Sequence, residues 1–402
     1  MTTLISVDTA LSHVLERALP VQEAESADLH HALGRILSED LQVRHDIPSA
    51  DNTSVDGYAL RLADLQDDRR LPVSARIPAG TAPEPLAPGT CARIFTGANI
   101  PEGADTVVMQ EDVEVEDELR RFPEGLRAGD NIRRRGQDLR QGDTALHAGT
   151  RLRAQELGLI ASLGLAQVPV WRRLRVAVLT TGDELVEPGQ PLPPGRIFNT
   201  NRFTLQAMLQ QLDCEVVVNQ TVPDNHDATA IALKRAARQA DLIVTSGGVS
   251  VGEEDHLRAV LEQHGQLSLW RMAMKPGKPL AFGAIGNIPV LGLPGNPASV
   301  LVTGLIICVP FIRRCQGDVR PAPRPIRLPA AFSVDKASIR REYVRARQEL
   351  RDGHAVVSCY PNQSSGLLSS ACWADGLAVV PENQTLAEGD MIDYYPFSDL
   401  LG

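Results

Sequence analysis

The chain has 402 residues, enough for two to four domains, each with its own hydrophobic core. Forty basic against fifty acidic side chains leave a formal net charge of -10, which argues against a broad nucleic-acid footprint and requires any anion to be captured locally. Six scattered cysteines (91, 214, 308, 315, 359 and 372) include no CxxC pair, and nine histidines form no HExxH-like cluster, so a Cys/His metal site is not expected and the thiols read as reduced and cytoplasmic.

Residues 1–20 lack a basic stretch followed by an apolar one, and so do not read as a signal peptide. Ser6 is placed to cap a helix whose apolar positions Val7, Ala10, Leu11, Val14, Leu15 and Leu19 recur at helical spacing until Pro20. Residues 26–45 read as a helix-to-strand element, and 46–60, DIPSADNTSVDGYAL, as a loop without amphipathic period. From 71 to about 150, short β runs punctuated by Gly and Pro predict a small β lobe; the RRR run at 133–135 reads as a solvated face. A compact helix over 154–163 follows.

Between 175 and 315 the pattern alternates. Strands are expected at VAVLTT (176–181), EVVV (215–218), 241–245, AFGAIG (281–286) and PVLGL (289–293), with helices over 201–212, 228–240 and about 255–263, and from Ala298. The apolar run 298–312 is too short to span a bilayer and reads as a buried helix. This alternation predicts a doubly wound α/β sheet with helices on both faces. A proline-rich linker, 317–325, leads to a last β segment. The expected division is a linking domain (20–45 and 138–170), a β lobe inserted in it (46–137), a doubly wound domain (1–19 and 171–320) and a C-terminal β domain (321–402).

The most site-like stretch is 241–256, DLIVTSGGVSVGEEDH, where an apolar strand enters a glycine-rich turn and then a helix whose free N–H groups suit phosphate. The acids Glu253, Glu254 and Asp255 are compatible with helix capping or with a bridging Mg²⁺. TTGDEL (180–185), KPGKP (275–279) and GLPGNPAS (292–299) belong on the same carboxyl edge, where open α/β sheets bind ligands. In the last, Asn296 is placed to cap a helix and Pro297 fits its first position. Lys275 and Lys278 offer local positive charge for an anion, or form a solvated turn.

DNTSVDGYA, RIFTGANIPEGADTVVMQED, NIRRRGQD, TTGDEL, SGGVSVGEED, KPGKPLAFG and GLPGNP, in this order across most of the chain, closely resemble the molybdopterin molybdenumtransferase (MoeA) family, which includes the E domain of gephyrin. The resemblance implies insertion of molybdenum from molybdate into adenylated molybdopterin, with AMP release supported by Mg²⁺. It also implies a homodimer in which the β lobe of one subunit reaches the other's site. Asp56, Thr96, Asp138, Glu184, Asp224 and Asp255 match the family's polar active-site positions, with Asp56, Glu184, Asp224 and Asp255 as its metal-side carboxylates. The corresponding binding set is Thr181, Gly182, Ser246, Gly247, Gly248, Val249, Ser250, Gly252, Lys275, Lys278, Pro294, Gly295, Asn296, Pro297, Ser299, Arg345 and Ser365. Thr53 and Val55 replace an expected Ser and Met, and Arg271 stands where lysine is frequent.

By the same resemblance, a separate molybdopterin adenylyltransferase supplies substrate, and molybdoenzymes or their chaperones accept product; no nucleic acid or membrane is implied. Two other readings remain open. One is a non-enzymatic, gephyrin-like scaffold; the other is a related pterin or nucleotide adenylyltransferase or pyrophosphatase.

Overall fold

The computed structural model describes residues 4–249 and 256–401. Its centre is a six-stranded mixed sheet in the order Glu215–Val222, Arg175–Thr181, Leu242–Ser246, Ile288–Leu293, Pro279–Ile285, Gln266–Arg271. The first four strands run parallel, Pro279–Ile285 runs antiparallel to them, and Gln266–Arg271 pairs antiparallel with Pro279–Ile285. Leu242–Ser246 is buried along its whole length, because helices cover both faces of a central parallel strand. The strand expected at 215–218 continues to Val222, and Gln266–Arg271 is an edge strand the sequence pattern did not reveal.

Alternate residues of these strands feed two cores. Val176, Val178, Leu242, Val244 and Leu291 pack with helices Val7–Glu16 and Thr200–Gln211 and with the long apolar helix beginning at Pro297. Ala177, Leu179, Ile243 and Val290 face the other way, against helices His226–Ala236 and His256–His264. Each fully buried Leu, Ile or Val in such a layer contributes about 1.5–3 kcal/mol.

Ser6 caps the first helix through Thr9 N–H at 3.0 Å, but the helix stops at Glu16 and leaves Leu19 73% exposed. The helix expected over 228–240 runs instead from His226 to Ala236, with Asn225 accepting from Ala228 N–H at its start. The apolar stretch is longer than expected. Pro297–Thr303, a wide π turn at Gly304–Cys308 and Val309–Cys315 form one helix of 19 residues that is mostly buried inside the protein. Pro310 has no N–H to donate to Ile306, and the helix widens just before it.

Two expectations upstream fail. Residues 26–45 hold no α-helix; Ala24–Asp28 pairs antiparallel with Gln167–Trp171, and Leu41–Gln42 with Thr144–Leu146, around a core that includes Leu37, Leu152, Ile160 and Val170. Nor is 46–60 a plain loop: Asn52–Thr53 pairs with Ile132–Arg133, while Gly57–Leu60 lies between Cys91–Ile94 and Thr106–Met109. All four residues of Gly57–Leu60 are buried, so the apolar/polar alternation that marks a half-exposed strand is absent. That strand belongs to a six-stranded β sheet completed by Arg70–Ile77, Leu119–Arg121 and Glu114–Glu116. Two of the three arginines read as a solvated run are paired, Arg134 with Asp51 at 2.7 Å and Arg135 with Asp46 at 2.5 Å.

The C-terminal β sheet orders Arg341–Arg351, Gly376–Val380, Met391–Pro396 and Ile326–Pro329, with His354–Cys359 also on Arg341–Arg351. It gains one short strand from elsewhere. Met274–Lys275 pairs parallel with Arg341 and Glu342. Tyr343, Leu377, Val379 and Leu400 join the same core as Met274 and Leu280, so this β sheet shares apolar contacts with the central one.

A Cβ added at Gly57 would lie 1.9 Å from the carbonyl oxygen of Val108 on the neighbouring strand. Backbone cannot step aside as a flexible side chain can, so Gly57→Ala is expected to destabilise the β lobe by roughly 1–3 kcal/mol. A thermal or urea melt of the variant against wild type, followed by circular dichroism, measures this loss.

Candidate functional site

The strand order reverses beside Arg175–Thr181, so the helices that follow Thr181 and Ser246 pack on opposite faces of the sheet and leave a crevice at the carboxyl edge. Gly182 (φ 149°) turns the first loop back; a Cβ there would meet the Glu184 carboxylate at 2.5 Å. Gly247 (φ 92°) brings the second loop against the first: its Cβ would lie 2.5 Å from the Thr181 carbonyl oxygen. Both positions require glycine, and together they let the two strand ends converge.

The result is a cleft of about 810 Å³. From the predicted set it gathers Thr181, Gly182, Glu184, Asp224, Ser246, Gly247, Gly248, Val249, Lys275, Lys278, Pro294, Gly295, Asn296, Pro297, Ser299 and Ser365. Ser250, Gly252 and Asp255, with Glu253 and Glu254, lie outside the described residues. A smaller cavity of about 330 Å³, lined by Arg17, Arg172, Asp241 and Phe282, lies away from these loops.

Asn201 ties the walls together. Its amide donates to Ser246 Oγ at 2.9 Å and to the Gly295 carbonyl at 2.6 Å, while Ser246 Oγ donates to the Pro294 carbonyl at 3.1 Å. Asn199, Thr200 and Asn201 all line the cleft, and the Asn-Thr-Asn run at the start of the helix Thr200–Gln211 is their signal in the sequence. Thr181 Oγ1 is a buried hydroxyl with no hydrogen-bond partner among the described residues.

The C-terminal domain supplies a further wall through Arg340, Gln363, Ser364 and Ser365. Asn296 sits at the cap position of the helix that begins with Pro297, but its side chain makes no cap bond and donates instead to Ser365 Oγ at 3.1 Å. Ala298 N–H donates to the Ser365 carbonyl at 3.0 Å, so Ser365 takes over part of the capping. Arg345, expected to contact ligand, is fully buried behind this wall. Its Nε donates to Ser370 Oγ at 2.9 Å and its Nη2 to the Ser364 carbonyl at 3.0 Å, and desolvation lowers its pKa. It supports the 363–365 loop, and does not itself line the cleft.

Lysine 275 is not a bare surface charge. Its Nζ lies 3.0 Å from both carboxylate oxygens of Glu342. Lys278 and Arg340 also line the cleft, and neither has a carboxylate partner among the described residues.

Asp56, Thr96 and Asp138 stand outside this cleft, on the β lobe and its junction. Asp56 and Thr96 form a small site of their own: Asp56 Oδ1 accepts from Thr96 N–H and from Thr96 Oγ1, both at 2.7 Å. Asp138 is exposed, its N–H donating to the Ile47 carbonyl at 3.0 Å. Among the described residues no group of three or more His, Cys, Asp or Glu side chains is gathered for a metal ion.

A cleft at the reversal of strand order is the ligand site of doubly wound α/β proteins. Residues 177–314 match the family model described as a probable molybdopterin binding domain, and 5–164 and 327–397 match the MoeA N-terminal region (domain I and II) and C-terminal region (domain IV). The molybdopterin molybdenumtransferase of Haemophilus influenzae is 41% identical over 99% of this chain and 100% of its own. That of a Nostoc species is 36% identical over 90% of this chain and 86% of its own. The crystal structure of the molybdopterin biosynthesis MoeA protein from Pyrococcus horikoshii OT3 superposes with a TM-score of 0.82 at 27% identity, covering 98% of this chain and 100% of that one. The chain belongs to the molybdopterin molybdenumtransferase family and is a transferase of molybdenum cofactor biosynthesis.

The two Thr96 hydrogen bonds, the backbone one first, hold the Asp56 carboxyl below its ordinary pKa. For a carboxyl with a depressed folded pKa, the interaction is complete above the unfolded value and is lost as pH falls through the folded one. A carbon-13 NMR titration of the Asp56 carboxyl is therefore expected to show a midpoint below that of a model aspartate. Thr96→Val, which keeps the N–H and removes the hydroxyl, is expected to move the midpoint part of the way back.

Proposed function

We propose that the chain transfers molybdenum from molybdate to adenylated molybdopterin and releases AMP. The observation that supports this most is the composition of one cleft, which combines glycine-rich loops with carboxylates (Glu184, Asp224) and cations (Lys275, Lys278, Arg340). A cleft of about 810 Å³ also falls in the range that takes ligands of drug size and above.

In this reading the Thr181–Gly182 and Ser246–Val249 loops, which line the cleft, are the surface that receives pterin and phosphate. Asn201 holds the Ser246 strand end and the Pro294–Pro297 loop in register. Lys275, Lys278 and Arg340 draw in the tetrahedral oxyanion as charge-assisted donors. Glu184 and Asp224 fit a hydrated Mg²⁺, which takes one or two carboxylates and fills its octahedron with water and phosphate oxygens. When bound, the cation offsets charge that develops on the phosphoanhydride. No protein nucleophile is needed.

Asp56, Thr96 and Asp138 join the reaction in a homodimer, where the β lobe of one copy completes the cleft of the other. A separate adenylyltransferase then supplies the substrate, and molybdoenzymes or their chaperones receive the product, in the cytoplasm.

The decisive assay mixes purified protein with adenylated molybdopterin, molybdate and Mg²⁺ and follows AMP and active cofactor. Absence of both products would remove this reading. The dimer has its own test, since Asp56→Asn and Asp224→Asn disable different walls. If the site is shared, mixing the two inactive variants after dissociation restores one intact site in each heterodimer, about a quarter of wild-type activity for random pairing. No recovery in a mixture shown by mass to contain heterodimers would place both residues in one subunit's site.

A further inference from the structure

We infer that Glu342 is an internal competitor for the oxyanion, a positioning residue that occupies Lys275 until molybdate displaces it. The inference rests on the reading above that Lys275 is one of the cations that receive the anion. Both Glu342 oxygens lie 3.0 Å from Lys275 Nζ, so the carboxylate takes the place that an oxyanion edge would take. Parallel pairing of Met274–Lys275 with Arg341 and Glu342 sets the two side chains next to one another.

The two partners are unequally mobile. Glu342 is 14% exposed and its strand is also paired on the other side, where it opposes Val380. Lys275 is 43% exposed at the end of a four-carbon stem. Exchange therefore proceeds by rotation of Lys275 away from a fixed carboxylate. Among the described residues, Lys278 and Arg340 line the same cleft without carboxylate partners, so an arriving dianion meets these two cations before Lys275 is released.

A ligand that binds only the open form of a site has its apparent affinity reduced by the fraction that is open. The Glu342 carboxylate, left behind, also repels the bound anion. Glu342→Gln keeps the size and an acceptor for Lys275 while removing the charge. For a partly exposed pair the expected gain is about five- to tenfold in molybdate affinity. A residue whose role was only to hold the domains together would not give tighter binding when weakened.

The test is isothermal titration of molybdate into the full-length wild type, Glu342→Gln and Lys275→Ala, each shown to be folded by thermal melting. Tighter binding by Glu342→Gln together with weaker binding by Lys275→Ala is the expected result. If Lys275→Ala binds weakly but Glu342→Gln binds no tighter than wild type, the competitor role is overturned while Lys275 keeps its place at the anion. If Lys275→Ala binds as wild type, the assignment of Lys275 itself is wrong, and the competitor role falls with it. Should Glu342→Gln fail to fold, Glu342→Asp, whose carboxylate is withdrawn by one carbon–carbon bond from Nζ, is titrated instead under the same criterion.

Discussion

Everything at the site depends on how closely two parallel strand ends approach. Thr181 and Ser246 leave neighbouring strands, and the loop after Ser246 passes so near Thr181 that a single added carbon at residue 247 would collide with its carbonyl. Parallel strands place successive loops on one edge, and the reversal of order beside Arg175–Thr181 sends the helices that follow to opposite faces of the sheet. The crevice is thus a product of sheet topology and is held by backbone contact. Side chains then finish it, above all Asn201, whose one amide group bonds the strand-end Ser246 and the Gly295 carbonyl at once.

The second constraint is the attachment of the C-terminal β sheet. Ion pairs cross the junction, Asp8 with Arg341 at 2.8 Å and Lys275 with Glu342 at 3.0 Å, but partly exposed pairs contribute little each. The larger contribution is apolar: Tyr343, Leu377, Val379 and Leu400 complete the core beneath the long helix that begins at Pro297. Because that helix starts at the PGNP loop, and Ser365 bonds both Asn296 and the Ala298 N–H, packing of the C-terminal domain also positions the floor of the cleft. Fold and site are coupled through one helix.

Much of this was legible from residue order. Consecutive apolar, largely β-branched residues at 242–244 mark a strand buried on both faces, and glycine-rich loops after apolar strands mark the ligand edge. Where the reading failed, local pattern carried no information. Gly57–Leu60 lacks alternation because both its faces are covered; residues 26–45 lack a helix because their cross-strand partners lie at 144–146 and 167–171, more than a hundred residues away. Arg345, matched to the family's binding set by motif position, is buried and donates to Ser364 and Ser370.

Residue order is enough for the doubly wound class, the four loops of the cleft and the family, since these depend on periodicity, glycine placement and motif order along the chain. Which of the described charges meet a carboxylate is set by packing in three dimensions. Lys275 and Lys278 are three residues apart in one turn, and nothing local distinguishes them. The register between Met274–Lys275 and Arg341–Glu342 brings a carboxylate from 67 positions downstream to one lysine and leaves the other without such a partner among the described residues. A charge's partner is set by distance in space, and strand pairing across two domains creates that distance.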